Sequence, residues 1–90
     1  MDIEKTIMRI LTDDLFVNVP QPHIGLHDSL RDTLALDSLG FAELRAHCEY
    51  TFGVTISDEE FVPENFSSVG TLAQLVVRLR EAYHFGTNGQ

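Results

Sequence analysis

The chain has 90 residues, 43% of them hydrophobic, and fourteen Asp and Glu against six Lys and Arg give it a formal charge of -8. This is enough apolar material for one small core but not for a second domain or a deep enclosed active site, and the negative field repels nucleic acid and anionic membranes while attracting basic protein patches. Cys48 is the single cysteine, which excludes an internal disulfide.

In DIEKTIMRILTDDLFV, residues 2–17, apolar side chains fall at Ile3, Ile7, Ile10, Leu11 and Leu15, the spacing of a helix with one buried stripe. Pro20 and Pro22 stop helical continuation, and VNVPQPHIGLHD reads as a loop long enough to carry function or a short helical turn. Ser29 stands three residues before Asp32, the spacing of a capping box, so its hydroxyl is expected to serve one local turn that Leu30 pins to the core. From Leu39 the helical spacing returns with Phe41, Leu44, Cys48 and Phe52, and Gly53 stands where a helix C-terminus favours it. Val54, Thr55 and Ile56 form a brief extended link. Ser57 with Glu60 then predicts a short third helix that Pro63 soon disturbs. Thr71 with Gln74, preceded by Gly70, predicts a fourth helix with an apolar stripe of Leu72, Leu75, Val76, Leu79 and Tyr83.

No strand alternation of useful length and no internal repeat is present. The expected fold class is all-α, a small four-helix bundle of three longer helices and one short one. It should form a single domain over residues 1–85, with a fraying, flexible tail over residues 86–90. No apolar run approaches the roughly 18 residues of a membrane-spanning helix or follows a basic start like that of a signal peptide, so a cytoplasmic location is expected.

The tripeptide Asp-Ser-Leu occurs twice, at residues 28–30 and 37–39. Ser29 is committed to its local cap. Ser38 opens a full helix, and Gly40 occupies the position three beyond Asp37, so no Glu or Gln closes a reciprocal box there. The first amides of that helix carry partial positive charge, a setting that stabilises a phosphate ester by several tenths to about 1 kcal/mol or more.

LALDSLGFAEL, residues 34–44, resembles the phosphopantetheine attachment motif of acyl carrier proteins. The helix-one stripe, FGVTISDEEF and the helix after SSVGTLAQLV follow the same order of elements, so the resemblance extends over residues 3–82. It implies an acyl-carrier-like fold with Ser38 as the attachment residue. A phosphopantetheinyl transferase would move 4'-phosphopantetheine from coenzyme A onto the Ser38 hydroxyl, and the thiol of that arm would hold acyl groups as thioesters while the carrier itself catalyses nothing. Ala35 departs from the pattern, since the family often has Gly before the attachment site, and a tighter turn is expected there.

Other constellations carry less. Ser38 and His47 are nine residues apart on one helix, about 900° of rotation and about 13 Å of rise, so they face opposite ways and form no hydrolase pair. His23 and His27 lie in the loop and read as solvated. Cys48 falls on the Phe41, Leu44, Phe52 stripe and reads as a small apolar core residue. Asp13 with Asp14, and Asp58 with Glu59 and Glu60, lack the alternating ligands and central Gly of a calcium loop and read as solvated faces.

Asp37, Leu39, Ala42, Glu43, Ala46 and Tyr50 lie on helix two away from its core stripe, and their mix of apolar and acidic groups suits docking of a partner. Between Asp28 and Glu64 lie nine of the fourteen acids and only two bases, Arg31 and Arg45. The resemblance, together with this acidic face, therefore implies an acyl carrier for fatty acid, polyketide or related specialised-metabolite biosynthesis. It is expected to be discrete and monomeric when free, although a carrier domain excised from a larger protein would read the same way. Its expected partners are the transferase and acyltransferases, ligases and synthases with basic docking patches, with no nucleic acid, membrane or metal. Asp37 before Ser38 resembles acyl carriers more than peptidyl carriers, which often have His there. An aminoacyl or peptidyl carrier is the alternative within the same chemistry, and an unmodified acidic helical interaction module is the alternative outside it.

Overall fold

Asp2 starts the first helix by accepting the Lys5 N–H on its carboxylate at 3.1 Å. In the computed structural model, which describes residues 2–86 and side chains through residue 82, α1 spans Ile3–Arg9 and widens into a π turn, Ile10–Asp14. The Thr12 hydroxyl donates to the Met8 and Arg9 carbonyls at 3.2 and 3.3 Å, competing with the α-helical ladder where it opens. Ile7, Ile10 and Leu11 are fully buried, with Ile3 and Leu15 packed at the edge of the core. Each fully buried Ile or Leu contributes about 1.5–3 kcal/mol. Phe16 then ends the helical path with a left-handed backbone, φ 58°, and its ring 79% exposed.

The connection to the next long helix is more deeply embedded than its irregular pattern suggests. It contains one 3-10 turn, Gln21–His23, and it buries Ile24, Leu30, Leu34 and Leu36. The expected Ser29 cap is present: the Asp32 N–H donates to Ser29 Oγ at 3.0 Å, and the Thr33 N–H donates to the Ser29 carbonyl at 2.9 Å. Leu30 is wholly buried, and its N–H reaches the Ser67 carbonyl at 2.9 Å, so this turn is pinned by side chain and backbone together. The Gly70 N–H donates to the Leu26 carbonyl at 2.9 Å, and a Cβ on Gly70 would lie 3.2 Å from that oxygen. Ala35 is not in a merely tighter turn: its φ of 60° is left-handed, the conformation that explains the preference for glycine at this place.

Helix α2 spans Ser38–Phe52 and buries Leu44, Cys48 and Phe52, with Phe41 partly covered. Gly53 closes it in the left-handed conformation at φ 66°, its N–H donating to the Glu49 carbonyl at 3.0 Å. Val54 and Ile56 are buried in the extended link that follows.

At Ser57 the structure corrects the sequence reading. The capping box forms, with the Ser57 N–H donating to Glu60 Oε1 at 3.0 Å and the Glu60 N–H donating to Ser57 Oγ at 3.2 Å. It supports a single turn instead of a short helix, because Pro63 has no N–H to extend the ladder and its ring blocks the carbonyl four residues before it. The described residues therefore contain three α-helices rather than four, and no strand.

The last helix, α3, spans Val69–Gly86 and starts three residues earlier than a cap at Thr71 would place it. Ser68 is its cap: the Thr71 N–H donates to Ser68 Oγ at 3.2 Å and the Ser68 N–H donates to Thr71 Oγ1 at 3.1 Å. Thr71 thus closes this box instead of opening one with Gln74. Val69, Leu72, Ala73, Leu75, Val76 and Leu79 are buried, and α1 packs mainly on this helix. Tyr83 lies beyond the residues whose side chains are described. Of the expected tail, Gly86 belongs to α3, and residues 87–90 lie outside the described residues. No described helix is long and apolar enough to cross a membrane.

Candidate functional site

The two Asp-Ser-Leu tripeptides meet at one cleft. Ser29 and Ser38 both line a cavity of about 400 Å³ together with Arg31, Asp32, Phe41, Phe61, Val62, Pro63, Phe66 and Ser67. Each Asp binds a glycine amide three residues away, Asp28 facing backward to Gly25 and Asp37 forward to Gly40, both at 2.8 Å. The serines and leucines diverge. Ser29 is half-buried with its hydroxyl accepting the Asp32 N–H, and Leu30 is fully buried. Ser38 is exposed at the first position of α2, its hydroxyl makes no hydrogen bond among the described residues, and Leu39 is 68% exposed.

Local chemistry builds the N-terminus of α2. The Asp37 carboxylate occupies the Gly40 amide, and the Phe41 N–H donates to the Asp37 carbonyl at 2.9 Å. A Cβ on Gly40 would come within 2.7 Å of Leu36 Cδ2, so with any other residue there the end of the buried Leu36 side chain would have to shift. Phe41, one turn beyond Ser38, turns into the cleft.

The opposite wall is held from α2 by two charged side chains that the periodicity did not mark. The Ile56 N–H donates to Glu49 Oε2 at 2.7 Å, and Arg45 Nε donates to the Ile56 carbonyl at 3.1 Å. The Arg45 guanidinium also pairs with Asp58 at 3.1 Å and lies 4.8 Å from the centre of the Phe61 ring. Phe61 in turn meets Phe66 edge to face at 5.0 Å. The Asn65 side-chain amide closes the segment by donating to the Glu60 carbonyl at 2.9 Å. Phe61, Val62, Phe66 and Arg31 are among the cleft residues the sequence reading did not place at the site. FVPENF has no helical or strand period, and its richness in aromatic residues after a capping box was the signal available.

The other candidate residues lie where they do different work. His47 Nδ1 is 3.7 Å from Asp14 Oδ2, linking α2 to the π turn instead of approaching Ser38. Neither His23 nor His27 lines the cleft. Cys48 is fully buried, and desolvation, with a smaller contribution from the Glu49 carboxylate, pushes its thiol up to about 12. Of the acidic runs, Asp58 binds Arg45 and Glu60 caps Ser57, so these two are engaged rather than simply solvated. Among the described residues no group of three or more His, Cys, Asp or Glu is placed to hold a metal ion. Asp37, Leu39, Ala42, Glu43, Ala46 and Tyr50 are all exposed, Tyr50 at 90%.

An exposed, uncommitted hydroxyl at a helix N-terminus, opening onto a cleft with an apolar wall and a polar rim, fits a long arm joined through a phosphodiester. Comparison with known proteins supplies the family. Over 82 residues, 91% of this chain and 100% of the relative, the sequence is 29% identical to a D-alanyl carrier protein of Streptococcus suis (strain 05ZYH33). Residues 5–76 match the family described as phosphopantetheine attachment site, the part of a carrier protein to which 4'-phosphopantetheine is joined. With four-fifths of its length inside that match, the chain belongs to the phosphopantetheine-attachment family of carrier proteins.

Proposed function

We propose that this protein is a non-catalytic carrier with 4'-phosphopantetheine on Ser38 and an acyl cargo drawn from fatty acid, polyketide or related specialised-metabolite assembly. The observation that carries the assignment is the contrast between the two serines at one cleft: Ser29 is committed to the Asp32 amide, and Ser38 is exposed and makes no hydrogen bond among the described residues. When bound, the arm supplies a terminal thiol on which an acyl group is held as a thioester, activated for transfer yet tethered.

The chain's own residues give that arm its surroundings. Asp37 fixes the first turn of α2 and so the direction of the Ser38 hydroxyl. Phe41, Phe61, Val62 and Phe66 offer an apolar wall that excludes water. Leu39, Ala42, Ala46 and Tyr50 form an exposed stripe for partner enzymes, with Asp37 and Glu43 steering basic patches towards it. The first such partner is a phosphopantetheinyl transferase.

Incubation with coenzyme A, magnesium and a broad-specificity transferase tests this reading by intact mass. A gain of one phosphopantetheinyl group supports it. An unchanged mass favours an unmodified acidic interaction module.

A second reading, an aminoacyl cargo, is favoured by the similarity to a D-alanyl carrier protein. The two differ in what the cleft shelters. Relative to the same thioesters of free pantetheine, a medium-chain acyl group on the loaded protein should be protected from hydroxylamine more than an alanyl group is, whereas equal protection of the two would favour the aminoacyl reading.

A further inference from the structure

Nine acids and two bases lie between Asp28 and Glu64, and one of the bases is fully engaged. Arg45 binds the Ile56 carbonyl and Asp58 and covers Phe61. The other, Arg31, makes no ion pair among the described residues and is exposed at the rim of the cleft. Its backbone is well fixed: Leu30 beside it is fully buried and bonded to Ser67, and Ser29 and Asp32 close the cap around it.

Its side chain leans towards α2. The Arg31 guanidinium carbon is 5.9 Å from the centre of the Phe41 ring. Phe41 is three residues beyond Ser38 and therefore its neighbour on the same helix face, and Arg31, Phe41 and Ser38 all line the one cleft. Among the described residues Arg31 is the one basic residue lining this cleft, Asp32 is the one acid lining it, and Asp37 caps the helix that Ser38 opens. An anion placed on Ser38 therefore enters a cleft whose lining holds one guanidinium and one carboxylate, with a second carboxylate at the cap. The first amides of α2 offset part of that repulsion, but the Asp37 side chain already occupies the amide of Gly40.

We propose that Arg31 is the positioning residue for the phosphodiester of the arm: its guanidinium donates to the phosphate oxygens beside Ser38 and directs the arm into the cleft instead of along the outer face of α2. The planar fork of arginine suits two phosphate oxygens at once, and the Phe41 ring supports it from behind. Lysine would keep the charge without the fork. This proposal rests on the reading of Ser38 as the attachment residue and adds a role for a side chain on a different segment.

The test uses the full chain loaded to completion and checked by intact mass, with no acyl group present, so that the phosphodiester is the only added anion. Phosphorus NMR then reads that group directly. In the wild type the resonance should be displaced from its position in the urea-unfolded loaded protein and broader than that of a freely rotating arm. Arg31→Ala and Arg31→Gln should move it towards the unfolded position and narrow it, and Arg31→Lys should retain part of the displacement. Added salt should move the wild type in the same direction and leave Arg31→Ala unchanged, as screening of an exposed pair requires. Arg80→Ala, an exposed arginine on α3, controls for net charge and should behave as wild type. Retention of the wild-type resonance in Arg31→Ala, or an equal change in Arg80→Ala, overturns the proposal while leaving Ser38 in place. Failure to gain the phosphopantetheinyl mass at all overturns the attachment reading and this proposal with it.

Discussion

The guanidinium of Arg45 lies 4.8 Å from the centre of the Phe61 ring while Arg45 Nε donates to the Ile56 carbonyl at 3.1 Å, so one side chain of α2 fixes both the extended link and an aromatic wall of the cleft. Charged hydrogen bonds to partly buried carbonyls contribute about 1.5–3 kcal/mol, whereas an ion pair with a carboxylate as exposed as that of Asp58 contributes about 0–1 kcal/mol. Arg45→Ala should therefore lower stability by about 2 kcal/mol in urea unfolding, and Asp58→Ala by about 0.5 kcal/mol or less. Equal losses from the two substitutions would mean that the ion pair, and not the backbone bond, holds the link.

Two left-handed positions give opposite expectations. Ala35 sits at φ 60° with a Cβ that this conformation disfavours, and Ala35→Gly should raise stability by roughly 1 kcal/mol. Gly53 sits at φ 66° with open space around it, so Gly53→Ala should cost about 1 kcal/mol through strain alone. Paired thermal melts decide both. A loss of stability in Ala35→Gly would show that the methyl group or chain entropy outweighs the backbone term.

Cys48 makes stability fall at alkaline pH. Its thiol titrates near 9 when the chain is unfolded and is pushed up to about 12 by burial in the fold. Below pH 9 both states hold the proton and there is no effect; between these values the unfolded state has lost a proton that the folded state keeps. Stability should then fall by up to about 1.4 kcal/mol per pH unit. The alkaline slope of urea midpoints should be shallower in Cys48→Ala than in the wild type, and identical slopes would place the thiol in a more polar setting. At neutral pH a thiol reagent should modify the arm of the loaded protein and spare Cys48.

The exposed stripe of α2 predicts kinetics. Glu43→Lys should slow association with the transferase, most at low salt, because exposed charges act mainly on encounter. Leu39→Ala should shorten the lifetime of the complex instead. Glu4→Lys, on α1, is the control for net charge, and an equal response to both reversals would remove α2 as a specific docking face.

Elements whose side chains repeat every three or four residues were legible in the sequence, since burial of one helix face dictates that period. Ile7, Ile10 and Leu11, then Leu44 and Cys48, then Leu72, Leu75 and Val76, all occupy the interior. Ser29 and Gly53 were legible because their bonds reach only three or four residues along the chain. Thr71 could be read with either of two partners at capping distance, and only packing against the Leu26 carbonyl through Gly70 shows which turn is the first of α3. Ile24, Leu34 and Leu36 are buried by the helices that surround them, a tertiary effect with no local period. The cleft was hidden for the same reason, since Arg45 and Phe61, or Arg31 and Phe41, meet across ten or more residues of chain.

The central claim is that the two Asp-Ser-Leu tripeptides differ in kind and that only the second bears the arm. Peptide mapping of the loaded protein, with Ser38→Ala and Ser29→Ala treated in parallel, tests it most directly. The phosphopantetheinyl group should map to Ser38 in the wild type, persist in Ser29→Ala and vanish in Ser38→Ala. A group found on Ser29, or one retained after Ser38→Ala, would contradict the account.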